Sequence, residues 1–211
     1  MRTRPGRFTV DDLPDLWDLP DWGMRREVLD GRLVLTPPQS RRHDRVIGNL
    51  AARFWQALPR GAEVRGDFAI RLPDGDGPVP DVMVTAAPAA PEQPLPARPG
   101  ALAATDVATV VEVVAADGRF IDRVWKQRRY AEAGIPCYWR VELEPWPGYR
   151  GPLPVIVVRV RERAGWREIV GPGGRLHALP LAHRRRPDGT AETVPLRLDP
   201  ESLTVRHATT W

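Results

Sequence analysis

Val110–Val141 reads VVEVVAADGRFIDRVWKQRRYAEAGIPCYWRV, and its parts set the reading of the whole chain. A β-branched run carries one acid, Glu112. A helical pattern follows, holding Asp122, Lys126 and Tyr130, and a second apolar run, Cys137 to Val141, closes the stretch. Two apolar strands joined through an amphipathic helix predict a βαβ-like core unit. An acid inside an apolar strand must be paired, hydrogen-bonded or bound to a cation, because burying a bare carboxylate is expensive. Asp122, Lys126 and Tyr130 stand at i, i+4 and i+8 and share a helix face. Ile121, Val124, Trp125 and Ala133 are the apolar residues expected to pack that helix on the sheet.

Composition sets the class. The chain has 211 residues, 42% of them hydrophobic and 27% charged, which predicts a globular domain with one core. That domain is expected over 10–205, between a disordered N-terminus, 1–9, and a tail, 206–211. No apolar run approaches the roughly 20 residues of a membrane-spanning helix. The opening MRTRPGRFTVDDLPDLW lacks the apolar centre of a signal peptide. A cytoplasmic protein without membrane contact is the expectation. The single cysteine, Cys137, excludes an internal disulfide framework and a multi-cysteine zinc site, and it reads as a small buried hydrophobe. The net charge of +4 and pI of about 9.9 permit nucleic-acid binding without requiring it. Of the 31 basic residues, one is lysine, Lys126. A compact ammonium with a tunable pKa is something guanidinium cannot supply.

Along the chain, Thr9 is a plausible N-cap for a helix over 10–19. Strands are predicted at 26–29 and 32–35 around Asp30-Gly31, a strong hairpin signal. Ser40 caps an amphipathic helix over 41–58, with Val46, Ile47, Leu50, Ala51, Phe54 and Leu58 at helical spacing. Arg41, Arg42, His43 and Arg45 crowd its first turn. They read either as a contact to phosphate or as a solvated turn. Strands are predicted at 62–72 and 79–85. Residues 86–105, rich in Pro and Ala, read as a surface loop. A hairpin is predicted over 155–170, loop over 171–190 ending in the basic HRRRPDG, and a last strand over 194–198. Trp17, Trp22, Trp146 and Trp211 fall on element ends and loops, where they could stack on bases or simply pack.

Three groups carry candidate chemistry. Asp81 follows Pro80 at a strand head, Glu112 lies in the next strand, and Lys126 on the helix after it. Two carboxylates on neighbouring strands can share a divalent cation such as Mg²⁺. Such an ion acidifies a bound water and stabilises charge on a phosphate under attack. A lysine beside it can orient the water or neutralise developing charge. Spacing alone leaves open a surface ion pair between Asp122 and Lys126, worth a few tenths of a kcal/mol.

These residues resemble a known family. "PD", then VVEV, then D-x-x-x-K-x-x-x-Y, then AGIPCYW is similar to the Uma2 family (DUF820), which has the PD-(D/E)XK nuclease fold of restriction endonucleases. EVLDGRLVLTPPQSRRHDRVIGNL resembles that family's opening hairpin and helix, and PLRLDPESL its end, so the likeness runs from about Phe8 to Leu203. The resemblance implies an α/β fold. Its core would be restriction-endonuclease-like, a mixed central β-sheet flanked by helices, with an N-terminal hairpin and a C-terminal β-hairpin. It implies a DNA endonuclease using Mg²⁺, with Mn²⁺ as a substitute. Asp81 and Glu112 would be its metal ligands, and Lys126 the catalytic lysine moved from the strand, where Val114 stands, to the helix. It also brings in Glu27 as a further metal or water ligand, or an exposed strand acid, and His43 as a phosphate contact, or a solvated one. A symmetric homodimer would suit double-strand cleavage.

One segment departs from the pattern: Ala115-Ala116-Asp117 stands where the family commonly has Ser-Pro-Ser/Thr. This keeps a second reading in play, a nuclease fold that binds DNA or a protein with catalysis weakened. A third makes the trio a buried salt-bridge network with a structural role.

Overall fold

The computed structural model describes residues 6–16, 23–86, 101–114 and 120–205. A 3-10 turn, Val10–Asp12, runs into helix α1 (Leu13–Leu16), followed by strands β1 (Arg25–Leu29) and β2 (Arg32–Thr36) and helix α2 (Arg41–Ala57). Strands β3 (Ala62–Arg65), β4 (Ala69–Arg71), β5 (Val82–Ala86) and β6 (Ala101–Ala103) precede the long strand β7 (Val107–Val114). A π-helical segment, Ile121–Lys126, continues as α3 (Gln127–Glu132). Then come β8 (Cys137–Glu142), β9 (Val155–Glu162), β10 (Gly165–Pro172), β11 (His177–Arg185), β12 (Ala191–Leu198) and a 3-10 turn, Pro200–Thr204.

The central sheet has six strands in the order β10-β9-β8-β7-β5-β3. Strands β7 and β8 are its parallel pair, as the βαβ reading requires; its other neighbours are antiparallel. All residues of β7 are buried, so both its faces are covered and its sequence is almost continuously apolar. Alternation along the strand then sorts its side chains. Val111 and Val113 enter the cluster formed with Val46, Leu50 and Phe54 of α2. Val110 enters the cluster of Tyr130 and Tyr138 on the other face. Glu112 has the parity of Val110 and therefore looks toward α3.

Helix α2 forms as its sequence predicts. The Ser40 side chain accepts from the His43 backbone N–H at 3.2 Å. Val46, Leu50 and Phe54 are fully buried, and Phe54 meets Trp139 edge-on with ring centroids 5.1 Å apart. Ser40→Ala is expected to lower stability by about 1 kcal/mol, read as a shift in the urea midpoint; an unchanged midpoint would show that the cap contributes nothing.

The β1–β2 hairpin turns through Asp30 (φ 51°) and Gly31 (φ 72°), the left-handed pair that a two-residue turn with the right twist needs. Asp76 pins that turn, accepting from the N–H of Asp30 at 2.8 Å and of Gly31 at 2.9 Å. Phe8 N–H donates to Gly31 O at 2.8 Å. Thr9 is bound by the Asp12 carboxylate at 2.6 Å. Phe8 and Thr9, in the stretch expected to be disordered, thus make defined hydrogen bonds, while 1–5 and 206–211 lie outside the described residues. So do 17–19 of the expected first helix, which begins as a 3-10 turn.

Three further expectations are corrected. The strand expected over 62–72 is two strands in different sheets: β3 pairs with β5 and β4 runs parallel to β6, the chain changing sheet at Asp67 (φ 57°). Of the expected loop 86–105, residues 87–100 lie outside the described residues, whereas Ala101–Ala103 is strand and Ala104–Asp106 a 3-10 turn. The expected loop 171–190 holds β11, whose Leu179, Leu181 and Ala182 are buried. Pro180 and the Arg run disguise it, since proline argues against a strand anywhere but an edge. Here Pro180 lies opposite Pro195 in a two-stranded ladder. Thr109 and Trp139 donate to the carbonyls of Ala182 and Pro180 at 2.7 and 3.1 Å, fastening β11 to the central sheet. Among the described residues no helix is long and apolar enough to cross a membrane.

Candidate active site

Asp81 stands immediately before β5, where its N–H donates to Val111 O at 3.1 Å. The register Val82↔Val111 carries on one step to set Asp81 opposite Glu112 across the two strands. The helix after β7 then supplies the third group. Its inward face is polar: Asp122, Lys126 and Tyr130 are 9%, 3% and 1% exposed. Of the apolar set expected to pack there, Ala133 joins the cluster of Val110, Tyr130 and Tyr138, but Val124 is 49% exposed and Trp125 donates to Asp30 at 3.0 Å. The π-helical turn helps the alignment. Four residues of α-helix overshoot a full turn by about 40°, while the wider π turn before Lys126 rotates less per residue.

Six sequence-predicted residues, Glu27, His43, Asp81, Glu112, Asp122 and Lys126, line one pocket of about 210 Å³. Lys126 Nζ lies 2.8 Å from Glu27 Oε1, 3.2 Å from Glu112 and 3.8 Å from Asp122 Oδ1. Glu27 Oε1 also accepts from the Val79 backbone N–H at 2.7 Å. It is thus a buried holder of the lysine and not an exposed strand acid. Tyr130 stands behind the pocket and donates to Glu112 Oε1 at 2.9 Å. Asp81 Oδ2 accepts from Val113 N–H at 2.7 Å. His43 is 4% exposed. Its Nε2 lies 3.1 Å from Val113 O and 3.5 Å from Asp81 Oδ2, so the ring packs into the site wall instead of a solvated turn. Because a carbonyl only accepts, Nε2 carries the proton there.

Of the basic cluster at the start of α2, His43 lines the pocket and Arg41, Arg42 and Arg45 do not. Arg41 and Arg42 are exposed. Arg42 donates to Leu143 O at 3.3 Å and to Glu144 at 3.4 Å, and Arg45 to Thr204 O at 3.2 Å. Residues 115–117, where the chain departs from the Uma2 pattern, lie outside the described residues.

Sequence reasoning missed Arg25. Its guanidinium meets Asp81 Oδ1 at 2.6 Å and lines the pocket. The available signal was its place two residues before Glu27, on the same face of β1.

Four carboxylates, Glu27, Asp81, Glu112 and Asp122, face two fixed cations, Arg25 and Lys126. The titrations follow from that imbalance. Burial pushes the Glu112 carboxyl well above its ordinary range; Lys126 opposes the rise, and the charges of Asp122, Asp81 and Glu27 push it further. Burial also raises Asp122, to about 6. Asp81 resists burial: the His43 bond, the Arg25 charge and the Val113 N–H bring it down to about 2. Burial by itself would lower Lys126, but Glu112, Glu27 and Asp122 outweigh it and hold the ammonium charged. His43 is raised because its contacts with Asp81 outweigh burial.

Among the described residues no three His, Cys, Asp or Glu groups come together as a ready metal-ligand set. The Asp81–Glu112 pair nevertheless fits a divalent ion that takes one or two protein carboxylates. The site also carries the surplus negative charge such an ion would neutralise.

Comparison with known proteins places the chain in a family. A family model, Uma2, described as "Putative restriction endonuclease", matches residues 13–178. Among solved structures, the chain is similar to the crystal structure of "a putative nuclease belonging to DUF820" from Anabaena variabilis ATCC 29413. That similarity has a TM-score of 0.63 and 15% identity over 93% of this chain and 97% of that one; at this identity the likeness is one of fold. No curated protein matches. The family match spans α1 to the start of β11 and takes in every residue of the pocket, and the chain accordingly belongs to the Uma2 family.

Proposed function

We propose that this chain is a divalent-metal-dependent endonuclease that hydrolyses DNA phosphodiester bonds. The observation that carries this reading is the pocket itself. Two carboxylates stand opposite each other on adjacent strands, surplus negative charge surrounds them, and the chain's one lysine is buried against one of them, Glu112. Asp81 and Glu112 would hold Mg²⁺ or Mn²⁺. Bound there, the ion supplies an acidified water and neutralises phosphoryl charge. Lys126 is held charged by its carboxylates, so it serves as a hydrogen-bond donor to the attacking water or a phosphate oxygen and not as a general base. Tyr130 and Glu27 are positioning residues: one fixes Glu112, the other fixes Lys126. His43 braces Asp81. Asp122 shares Lys126. Arg41, exposed at the start of α2, would take a backbone phosphate, and Arg42 and Arg45 would do so by leaving their partners Leu143, Glu144 and Thr204.

A second reading, a fold that binds DNA or a protein partner with catalysis weakened, draws on one observation: Arg25 and Lys126 already pair with the two acids. Plasmid cleavage separates them. The parent chain should nick DNA with Mg²⁺ or Mn²⁺ and not with chelator, and Asp81→Asn should lose at least about 100-fold in rate while keeping a cooperative melt. A parent chain that leaves DNA intact with either ion, or an Asp81→Asn variant as fast as the parent, would overturn the nuclease reading.

A further inference from the structure

Asp81 presents two oxygens with different company. Oδ2 is used by the protein scaffold, accepting from Val113 N–H at 2.7 Å beside His43. Oδ1 is bound by the Arg25 guanidinium at 2.6 Å, while the other arm of that guanidinium donates to Val79 O at 3.2 Å. Asp81's side chain is 3% exposed and Arg25's 25%, so the arginine is the more accessible partner of a mostly buried pair. Arg25 also lines a second cavity of about 510 Å³, which shares Thr36, Pro37, Gln39 and His43 with the site pocket. Arg25 therefore borders both spaces. Guanidinium is suited to both positions, because its planar fork binds carboxylate and phosphate alike.

We infer that Arg25 is a displaceable internal counter-ion. A divalent cation and the guanidinium compete for Asp81 Oδ1, and the displaced guanidinium turns to a phosphate oxygen of the DNA strand. This rests on the proposed nuclease reading and makes Arg25 a positioning residue that couples metal loading to substrate capture. A merely structural arginine would, on removal, weaken whatever the site binds. A competitor does the reverse for the metal.

The test is calorimetric titration of Mn²⁺ into the parent chain, Arg25→Gln and Arg25→Lys, together with anisotropy of a short labelled duplex in Ca²⁺. Arg25→Gln should bind Mn²⁺ about tenfold more tightly yet bind the duplex more weakly and cleave it with a raised KM. Arg25→Lys keeps the charge and carries the same expectations at smaller size, should the glutamine variant melt without cooperativity. Equal or weaker Mn²⁺ binding in a folded Arg25→Gln overturns the competition and leaves the nuclease reading standing. Tighter Mn²⁺ binding with unchanged duplex affinity overturns the transfer to phosphate. Absence of Mn²⁺ binding in the parent and in both variants overturns this inference and the metal-dependent reading together.

Discussion

Lys126→Met should lower the stability of the fold by about 3–5 kcal/mol at pH 8, the range expected when one partner of a buried ion network is removed. Lys126 is 3% exposed and holds Glu27, Glu112 and Asp122 within 4 Å. Methionine fills similar space but leaves those carboxylates with no cation. The loss should depend on pH in a definite direction. Glu112 and Asp122 already have folded pKa values above their ordinary values of 4.5 and 3.8, Asp122 at about 6. Without Lys126 both rise further. A carboxyl raised in the folded state binds more protons there than in the unfolded chain, so stability falls as pH rises through that window. The deficit should thus be smallest near pH 4 and largest at pH 8. Urea unfolding of parent and variant at both values measures it. A deficit below about 1 kcal/mol at pH 8 would show that Lys126 is not the counter-charge of the site.

Glu112→Gln should have the opposite effect on stability and a larger effect on function. The glutamine amide oxygen can still accept from Tyr130, which bonds Glu112 at 2.9 Å. The substitution removes one charge from an acid-rich pocket in which burial already disfavours ionised Glu112. The melting temperature should therefore stay level or rise, as is common when a strained functional group is replaced. Metal binding and cleavage should disappear, the rate falling by at least about 100-fold. If Glu112→Gln instead melts far below the parent, the network is a structural ion cluster and the catalytic assignment of Glu112 goes with it. The pair of variants separates the two roles: removing the cation injures the fold, and removing the acid injures the chemistry.

Much of this was legible where local physics decides. The cap at Ser40, the helical stripe Val46–Leu50–Phe54 and the Asp30-Gly31 turn each follow from a few neighbouring residues. So does the parallel strand pair around the helix. The face shared by Asp122, Lys126 and Tyr130 was also visible, but its direction was not. Amphipathic reasoning sends Val124 inward and the polar residues out. The sheet reverses this by presenting Glu112 at that point, and a lysine follows the acid. Strand β11 was hidden for a related reason: Pro180 and the Arg run outweigh a short apolar core whose partners are distant in sequence. Arg25 could be paired with Asp81 only by a contact across 56 positions, which no local pattern encodes.

The burial of the chain's only lysine gives the folded surface an unusual chemical silence. With Lys126 at 3% exposure, no lysine amine of these 211 residues stands open to solvent. Acylating reagents, amine-directed crosslinkers and acetyl donors meet guanidinium groups there and no exposed lysine. A reagent reaches Lys126 only through the site pocket that it lines. The rate at which an amine reagent labels that one position is therefore a direct gauge of local opening, read from a single site without any engineered probe.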